Sequence, residues 1–297
     1  MKAASRISVM LLIAASASTR AQNAPPATDI YLADLKIEDV DWLSVSKAVQ
    51  LTDRPAYDNQ PSFLADGEAI LYTAYQSDGQ TDILRLDLSG KSARNLTNTP
   101  ESEYSPALTP DGQHFSVIRV ESDGRQRLWK FPLQGGEPSL VLTDAQPVGY
   151  QVWAGSDSVI LFILGSPSTL QQFEVPGGQS RLLAEGVGRS LQMAKNGSAV
   201  AYVHMESPDR WSIQSTHLQS GRSFQLATTL QGSEDFVWTP SGSLLMGKGS
   251  KLYQHRVDDA SPRPWREIAD LSEYGVRGIT RLAISPDGKR LALVAEH

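Results

Sequence analysis

The sequence predicts an all-β protein, a six-bladed β-propeller closed by a blade made of two N-terminal and two C-terminal strands. Three observations carry this reading. One short unit, Ser105-Pro106-Ala107-Leu108-Thr109-Pro110-Asp111-Gly112, is written again as Gln60-Pro61-Ser62-Phe63-Leu64-Ala65-Asp66-Gly67 and Leu282-Ala283-Ile284-Ser285-Pro286-Asp287-Gly288, with degenerate copies around Trp238, Met193 and Trp153. The register marks Gly67, Gly112, Ser156, Gly197, Gly242 and Gly288 are 45, 44, 41, 45 and 46 residues apart, the length of a four-stranded propeller blade. Finally, the ends complement one another: the chain opens with a third and a fourth strand and stops after a first and a second.

Each copy is an apolar run that ends in Pro-Asp-Gly or a relative and is followed at once by a second apolar run. Pro presets the first turn angle, and Asp or Asn before Gly suits the positive φ angles of a tight hairpin, so the unit reads strand, turn, strand. At the N-terminus, Asp29-Ile30-Tyr31-Leu32-Ala33-Asp34-Leu35 copies Asp82-Ile83-Leu84-Arg85-Leu86-Asp87-Leu88, a third strand. Ala48-Val49-Gln50-Leu51-Thr52 copies Ala93-Arg94-Asn95-Leu96-Thr97, a fourth. Residues 279–286 and 290–297 read as the missing first and second strands, and joining them to the N-terminal pair removes the exposed edges of an open array.

The intervening blades follow in order. Blade one covers 60–97, with strands near Ser62, at 70–75, 82–88 and 93–97. Blade two repeats this near Ala107 and at 114–120, 127–133 and 139–143. Blades three, four and five have first strands at 151–154, 191–194 and 235–239, and end at 184, 227 and 269. Alternation such as Ile83, Arg85, Asp87 against Leu84, Leu86, Leu88 suits strands packed between neighbouring blades. Residues 37–45 are the one ambiguous stretch.

Composition narrows the function. With 27 Lys and Arg against 33 Asp and Glu, net −6, the chain has no basic field for a phosphate backbone, and nucleic acid is not expected as a partner. No cysteine is present, which removes disulfides, thiolate metal sites and cysteine nucleophiles. Lys2 and Arg6, the apolar run 7–15 and the small residues before Ala17 or Ala21 read as a signal peptide over 1–21. That run is too short to span a bilayer. A polar leader over 22–28 and a single propeller domain over 29–297 are expected, in the periplasm or secreted, as a monomer.

The repeat resembles that of the TolB family: Leu96-Thr97, the acidic loop Glu101-Ser102-Glu103, Ser105 to Gly112 as written above, and Asp29-Ile30-Tyr31-Leu32-Ala33-Asp34-Leu35. The likeness runs from Asp29 to the end and is strongest in blades one, two and six. It implies the fold rather than one function, because the same repeat serves periplasmic scaffolds, peptidase accessory domains and stand-alone proteins; a protein, peptide or envelope component is the expected partner. TolB proper carries an α/β domain ahead of its propeller; the leader here leaves no room for one, so a stand-alone propeller is expected.

No nucleophile elbow, zinc-protease motif, P-loop or dinucleotide fingerprint occurs, and the five histidines fall on different blades. No cofactor is expected, calcium in the acidic loops being the single candidate metal. In a four-stranded blade the loop into the first strand emerges beside the central channel. That face collects Arg54, Tyr57, Asp58 and Asn59, then Glu101, Glu103 and Tyr104, then Tyr150, Arg189, Glu234, Asp235, Tyr274 and Arg277, residue types favoured by interfaces and polar pockets. Arg119 and His204 stand in register within second strands; Arg119 interrupts an apolar run and needs a partner, for which Glu121 and Asp123 are near, or a wet channel. A binding module working through this face is the first expectation. A hydrolase or lyase acting on a polar substrate in the channel mouth is the alternative.

Overall fold

A computed structural model describes residues 24–39, 42–90, 92–257 and 264–297. The expected signal peptide and the first two residues of the leader lie outside the described residues. The chain forms β1 (Thr28–Asp39) and β2 (Trp42–Gln50) first. Blade one is β3 (Asp58–Phe63), β4 (Ala69–Tyr75), β5 (Thr81–Asp87) and β6 (Ser92–Asn95); blade two is β7 (Ser102–Leu108), β8 (His114–Val120), β9 (Gln126–Pro132) and β10 (Ser139–Leu140). Blade three is β11 (Val148–Gly155), β12 (Ser158–Ile163), β13 (Thr169–Glu174) and β14 (Ser180–Glu185); blade four is β15 (Val187–Met193), β16 (Ala199–Ser207), β17 (Arg210–His217) and β18 (Ser223–Thr228). Blade five is β19 (Phe236–Trp238), β20 (Leu244–Lys248), β21 (Lys251–His255) and β22 (Arg266–Asp270), and β23 (Arg281–Ile284) and β24 (Arg290–Glu296) end the chain. Among the described residues no helix is long and apolar enough to cross a membrane.

Each blade is a four-stranded antiparallel meander, and the sixth has the order β2-β1-β24-β23, so β1 pairs with β24 from Thr28 opposite Glu296 to Asp34 opposite Arg290. The six first strands, β3, β7, β11, β15, β19 and β23, touch one another in a closed circuit around the axis. The ambiguous stretch 37–45 is the outer end of a long β1–β2 hairpin that runs beyond β24. Its Leu43 N–H donates to Gln254 Oε1 at 2.9 Å, and the Trp42 ring lies 4.4 Å from the Arg266 guanidinium, tying the closing blade to blade five.

There is no single core. Six apolar layers lie between adjacent blades, because strands buried on both faces send alternate side chains to opposite neighbours. In β4, Ile70, Tyr72 and Ala74 pack with Ile30, Ala292 and Val294 of the closing blade, while Ala69 and Leu71 pack with Phe115, Val117 and Phe131 of blade two. Leu291, Leu293 and Ala295 of the closing blade meet Val237, Leu245 and Leu252 of blade five. Burying each such large side chain is worth about 1.5–3 kcal/mol, and the layers cohere only when the ring is closed.

The repeated turn differs in detail from its sequence reading. Gly112, at φ 65°, is the left-handed residue and its N–H donates to the Thr109 carbonyl at 2.9 Å. Asp111 is absent from the positive-φ residues; its carboxylate instead accepts the Thr109 hydroxyl at 2.7 Å and the Gln113 N–H at 2.8 Å, which holds its pKa well below the usual range. Asp66 and Asp287 accept the equivalent N–H groups of Glu68 and Lys289. The Asp recurs because it accepts hydrogen bonds, and the Gly recurs because the turn needs its conformation.

Candidate functional site

The first strands begin earlier than their prolines suggest. Gln60 and Ser105, each immediately before a proline, have φ of 56° and 53° and sit at bulges in β3 and β7, where pairing skips between Asn59 and Ser62 and between Tyr104 and Ala107. A proline cannot donate to a ladder, so it reads as the start of a strand; here the strand continues upstream through the bulge. Asp58, Asn59, Glu103, Tyr104, Tyr150 and Arg189, read from sequence as loop residues, therefore lie within first strands.

Those strands alternate, and the alternation divides the sequence-derived residues into two groups. One group converges on the axis. Tyr57 stands just before β3, Tyr104 in β7, Tyr150 in β11, Arg189 in β15, Asp235 just before β19, and Arg281 opens β23, so each blade contributes one polar side chain to a ring. Three phenols come from blades one to three and three ionic groups from blades four to six. Arg281 Nη2 donates to the Tyr150 hydroxyl at 2.9 Å, its guanidinium carbon lies 5.0 Å from the Tyr150 ring centre, and Nη1 is 3.7 Å from Asp235 Oδ2. Asp235 Oδ1 accepts the Leu282 N–H at 2.9 Å, and Glu234 Oε1 accepts the Arg189 N–H at 2.5 Å. Tyr57 lies within electrostatic reach of Arg281, Tyr150, Arg189 and Tyr104 at once. The direct contact across the channel is the Arg281–Tyr150 bond, and the electrostatic reach of Tyr57 extends to blades two, three, four and six.

The electrostatics follow from the burial of these groups beside one another. Burial pushes the Asp235 carboxyl up to about 6 although Arg281 and Arg189 pull it down, Glu234 adding to the rise. Burial also raises the Tyr57 phenol above its ordinary range, against the pull of Arg281 and Arg189. Burial opposes the charge of Arg281, yet Tyr150, Asp235 and Tyr57 outweigh it, and the guanidinium stays charged.

The second group faces between blades. Asp58, fully buried, is held by both Arg54 Nη2 and, at 3.1 Å, Arg54 Nε. Asn59 Nδ2 donates to the Thr28 hydroxyl at 3.1 Å, and that hydroxyl donates to the Asp58 carbonyl at 2.9 Å. One repeat later Glu103, also fully buried, takes the place of Asp58. It accepts the Thr99 hydroxyl at 2.5 Å and lies 3.3 Å from Arg119 Nε, while Arg119 Nη2 holds Glu101. Burial lifts the Glu103 carboxyl to about 7, with Thr99 and Arg119 opposing. The partner of Arg119 is thus neither Glu121 nor Asp123: Glu121 is taken by Arg127 at 2.7 Å through both guanidinium arms and by Trp129 Nε1 at 2.8 Å. His204 lies in β16 opposite Val187 and Ser212, outside the ionic contacts of the ring.

Arg281 is the ring member that sequence reasoning missed. It stands seven residues before Gly288, as Asp235 stands before Gly242, and aligning blade six on blade five would have brought it forward. Two residues expected beside the channel, Tyr274 and Arg277, are exposed around a 3-10 turn at Ser272–Tyr274. Among the described residues, the one group of His, Asp and Glu close enough to share a cation is Asp29, Asp53 and His297, at the end of the closing blade. A hollow of about 440 Å³ lined by Gly112, Gln113, His114, Pro132, Leu133 and Gln134 lies at the blade two hairpin, away from the ring.

No family model matches the chain, and no curated protein matches it. Solved structures do. A protein from Agrobacterium tumefaciens described as a TolB candidate superposes with a TM-score of 0.70 at 15% identity, over 91% of this chain and 99% of that one. TolB from Acinetobacter baumannii gives 0.61 at 14% identity, over 90% of this chain and 64% of its own. An oligogalacturonate lyase in complex with manganese gives 0.56 at 16% identity, over 84% of this chain and 80% of its own. The chain shares their propeller fold.

Proposed function

We propose that this propeller is an exported binding module that receives a ligand or a segment of a partner protein at the channel mouth, on the ring of Tyr57, Tyr104, Tyr150, Arg189, Asp235 and Arg281. The observation that carries the reading is that each of six blades contributes one polar side chain from the strand, or the residue just before it, that lines the axis. Polar residues that serve only to cap strands have no reason to meet there, and a concave site with a few convergent polar groups is where ligands bind. The likeness to TolB structures supports a protein partner, and the N-terminal residue pattern supports export to the periplasm. Arg54, Asp58, Asn59, Glu103 and Arg119 serve the ring indirectly, by fixing the first strands of blades one and two; His204 stands apart from it.

The test is a binding screen of sugars, sugar acids and short peptides against the wild type and a triple variant, Tyr57→Phe, Tyr104→Phe and Arg189→Gln. A ligand retained by the wild type and lost by a variant of unchanged Tm supports the reading. Equal retention by both proteins, or no retention by either, overturns it. A hydrolase or lyase working in the same mouth is the competing reading, favoured by the fold shared with the lyase; product analysis of the retained ligand separates the two.

A further inference from the structure

The hydrogen-bonding capacity left over in the ring is not balanced. Its acceptors are engaged: Glu234 takes the Arg189 N–H, and Asp235 takes the Leu282 N–H and faces Arg281. Its donors are not. Among the described residues the hydroxyls of Tyr57 and Tyr104 make no hydrogen bond, nor do the terminal amino groups of Arg189, whose buried Nε, although 3.2 Å from Glu234 Oε2, also lacks one. Tyr57, Tyr104 and Arg189 stand on or beside the first strands of blades one, two and four, which belong to the closed circuit around the axis, blade four opposite blade one. A group held on the axis lies between the strand that carries Arg189 on one side and the strands that carry Tyr57 and Tyr104 on the other.

We propose that this site selects a carboxylate, bound by the Arg189 guanidinium and the Tyr57 and Tyr104 hydroxyls. The inference rests on the binding-module reading and names the chemistry the module recognises. A guanidinium fork matches the two oxygens of a carboxylate, and charge-assisted bonds of this kind are about twice as strong as neutral ones. Phosphate offers the same fork, but Glu234 and Asp235 stand beside the two arginines and offset their charge, so a dianion would bring twice the uncompensated charge of a carboxylate. The phenols add donors without adding charge and present flat faces to whatever carries the carboxylate.

A sugar acid and the C-terminus of a peptide share this group, and the test separates them. Isothermal titration is run with D-glucuronate against D-glucose, and with acetyl-tetraglycine against its C-terminal amide, on the wild type, Arg189→Gln and Tyr104→Phe, with Tm measured for each. The expected result is that at least one acid binds about tenfold or more tightly than its neutral counterpart, that Arg189→Gln erases the difference, and that Tyr104→Phe reduces it with Tm unchanged. The pair that shows the preference identifies the carrier. A neutral probe binding as tightly as its acid overturns the carboxylate inference and leaves the binding module standing. A preference that survives in Arg189→Gln overturns the assignment of Arg189, and failure of all four probes on the wild type overturns the inference as a whole, the module itself being judged by the wider screen.

Discussion

The clamps between blades and the ring on the axis are built from the same residue types, Arg, acidic residues and hydroxyls, yet they are finished differently. In the clamps every charge meets its opposite within its own blade or the loop leading into it: Arg54 with Asp58, Arg119 with Glu101 and Glu103, Arg127 with Glu121. In the ring the pairs join different blades, neighbouring ones in Arg189–Glu234 and Arg281–Asp235 and opposite ones in the Arg281–Tyr150 bond across 131 residues, and donors remain unspent. A charged side chain in a propeller is therefore classified by what is left unpaired around it rather than by its type or its conspicuousness in the sequence. Arg119 interrupts an apolar strand, for which the sequence offers a salt bridge to Glu121 or Asp123 or a wet channel; a salt bridge it is, but to Glu101 and Glu103, with the guanidinium 4.9 Å from the Trp129 ring centre.

The largest expected effect lies in a clamp. Arg119→Ala leaves buried Glu103 facing no cation, and urea unfolding at neutral pH should show a loss of about 3 kcal/mol or more, with binding at the ring retained by the folded fraction. Next is the pH response of the same clamp. Burial raises the folded-state pKa of Glu103 to about 7, above its unfolded value, so between roughly pH 4.5 and 7 the folded chain keeps a proton the unfolded chain has lost. Stability should fall as pH rises through that window, by about 3 kcal/mol in all, and Glu103→Gln should flatten that part of the profile. If the variant keeps the full slope, Glu103 is not its source.

Smaller effects probe the bulges and the ring. Ser105 pays for a left-handed backbone at φ 53° and buries a hydroxyl with no hydrogen bond, so Ser105→Gly should stabilise by up to about 1 kcal/mol. Gln60→Gly, at the equivalent position, should instead destabilise, because the Gln60 side chain accepts the Ser105 N–H at 2.8 Å and the Thr73 hydroxyl at 2.7 Å. Equal responses at the two sites would break the distinction. In the ring, Tyr104→Phe should change stability by less than about 0.5 kcal/mol in thermal melts while weakening ligand binding.

Much of the fold was legible because the repeat writes its turn chemistry into the chain each time, and because the third and fourth strands at Asp29 and Ala48 lack a first and second that residues 279–297 supply. The ring was legible except for Arg281, whose register was visible but which lies in a run read only as strand. The division between ring and clamp was not legible. It depends on which face of a first strand each side chain takes, and the bulges at Gln60 and Ser105 reset that alternation while their prolines suggest a strand beginning later. The true partners of Arg119 were hidden for a related reason: Glu101 and Glu103 are distant in sequence but adjacent once β7 pairs with β8, Glu103 opposite Arg119.

The most direct test of the ring as the binding site is an NMR titration of protein carrying ring-labelled tyrosine. Signals of the nine tyrosines are assigned by single Tyr→Phe variants and followed as the acid probe that binds is added. The account predicts that Tyr57 and Tyr104 shift together with one affinity while Tyr72 and Tyr202, buried in the layers between blades, stay in place. Shifts at Tyr72 or Tyr202 with Tyr57 and Tyr104 unmoved would contradict it.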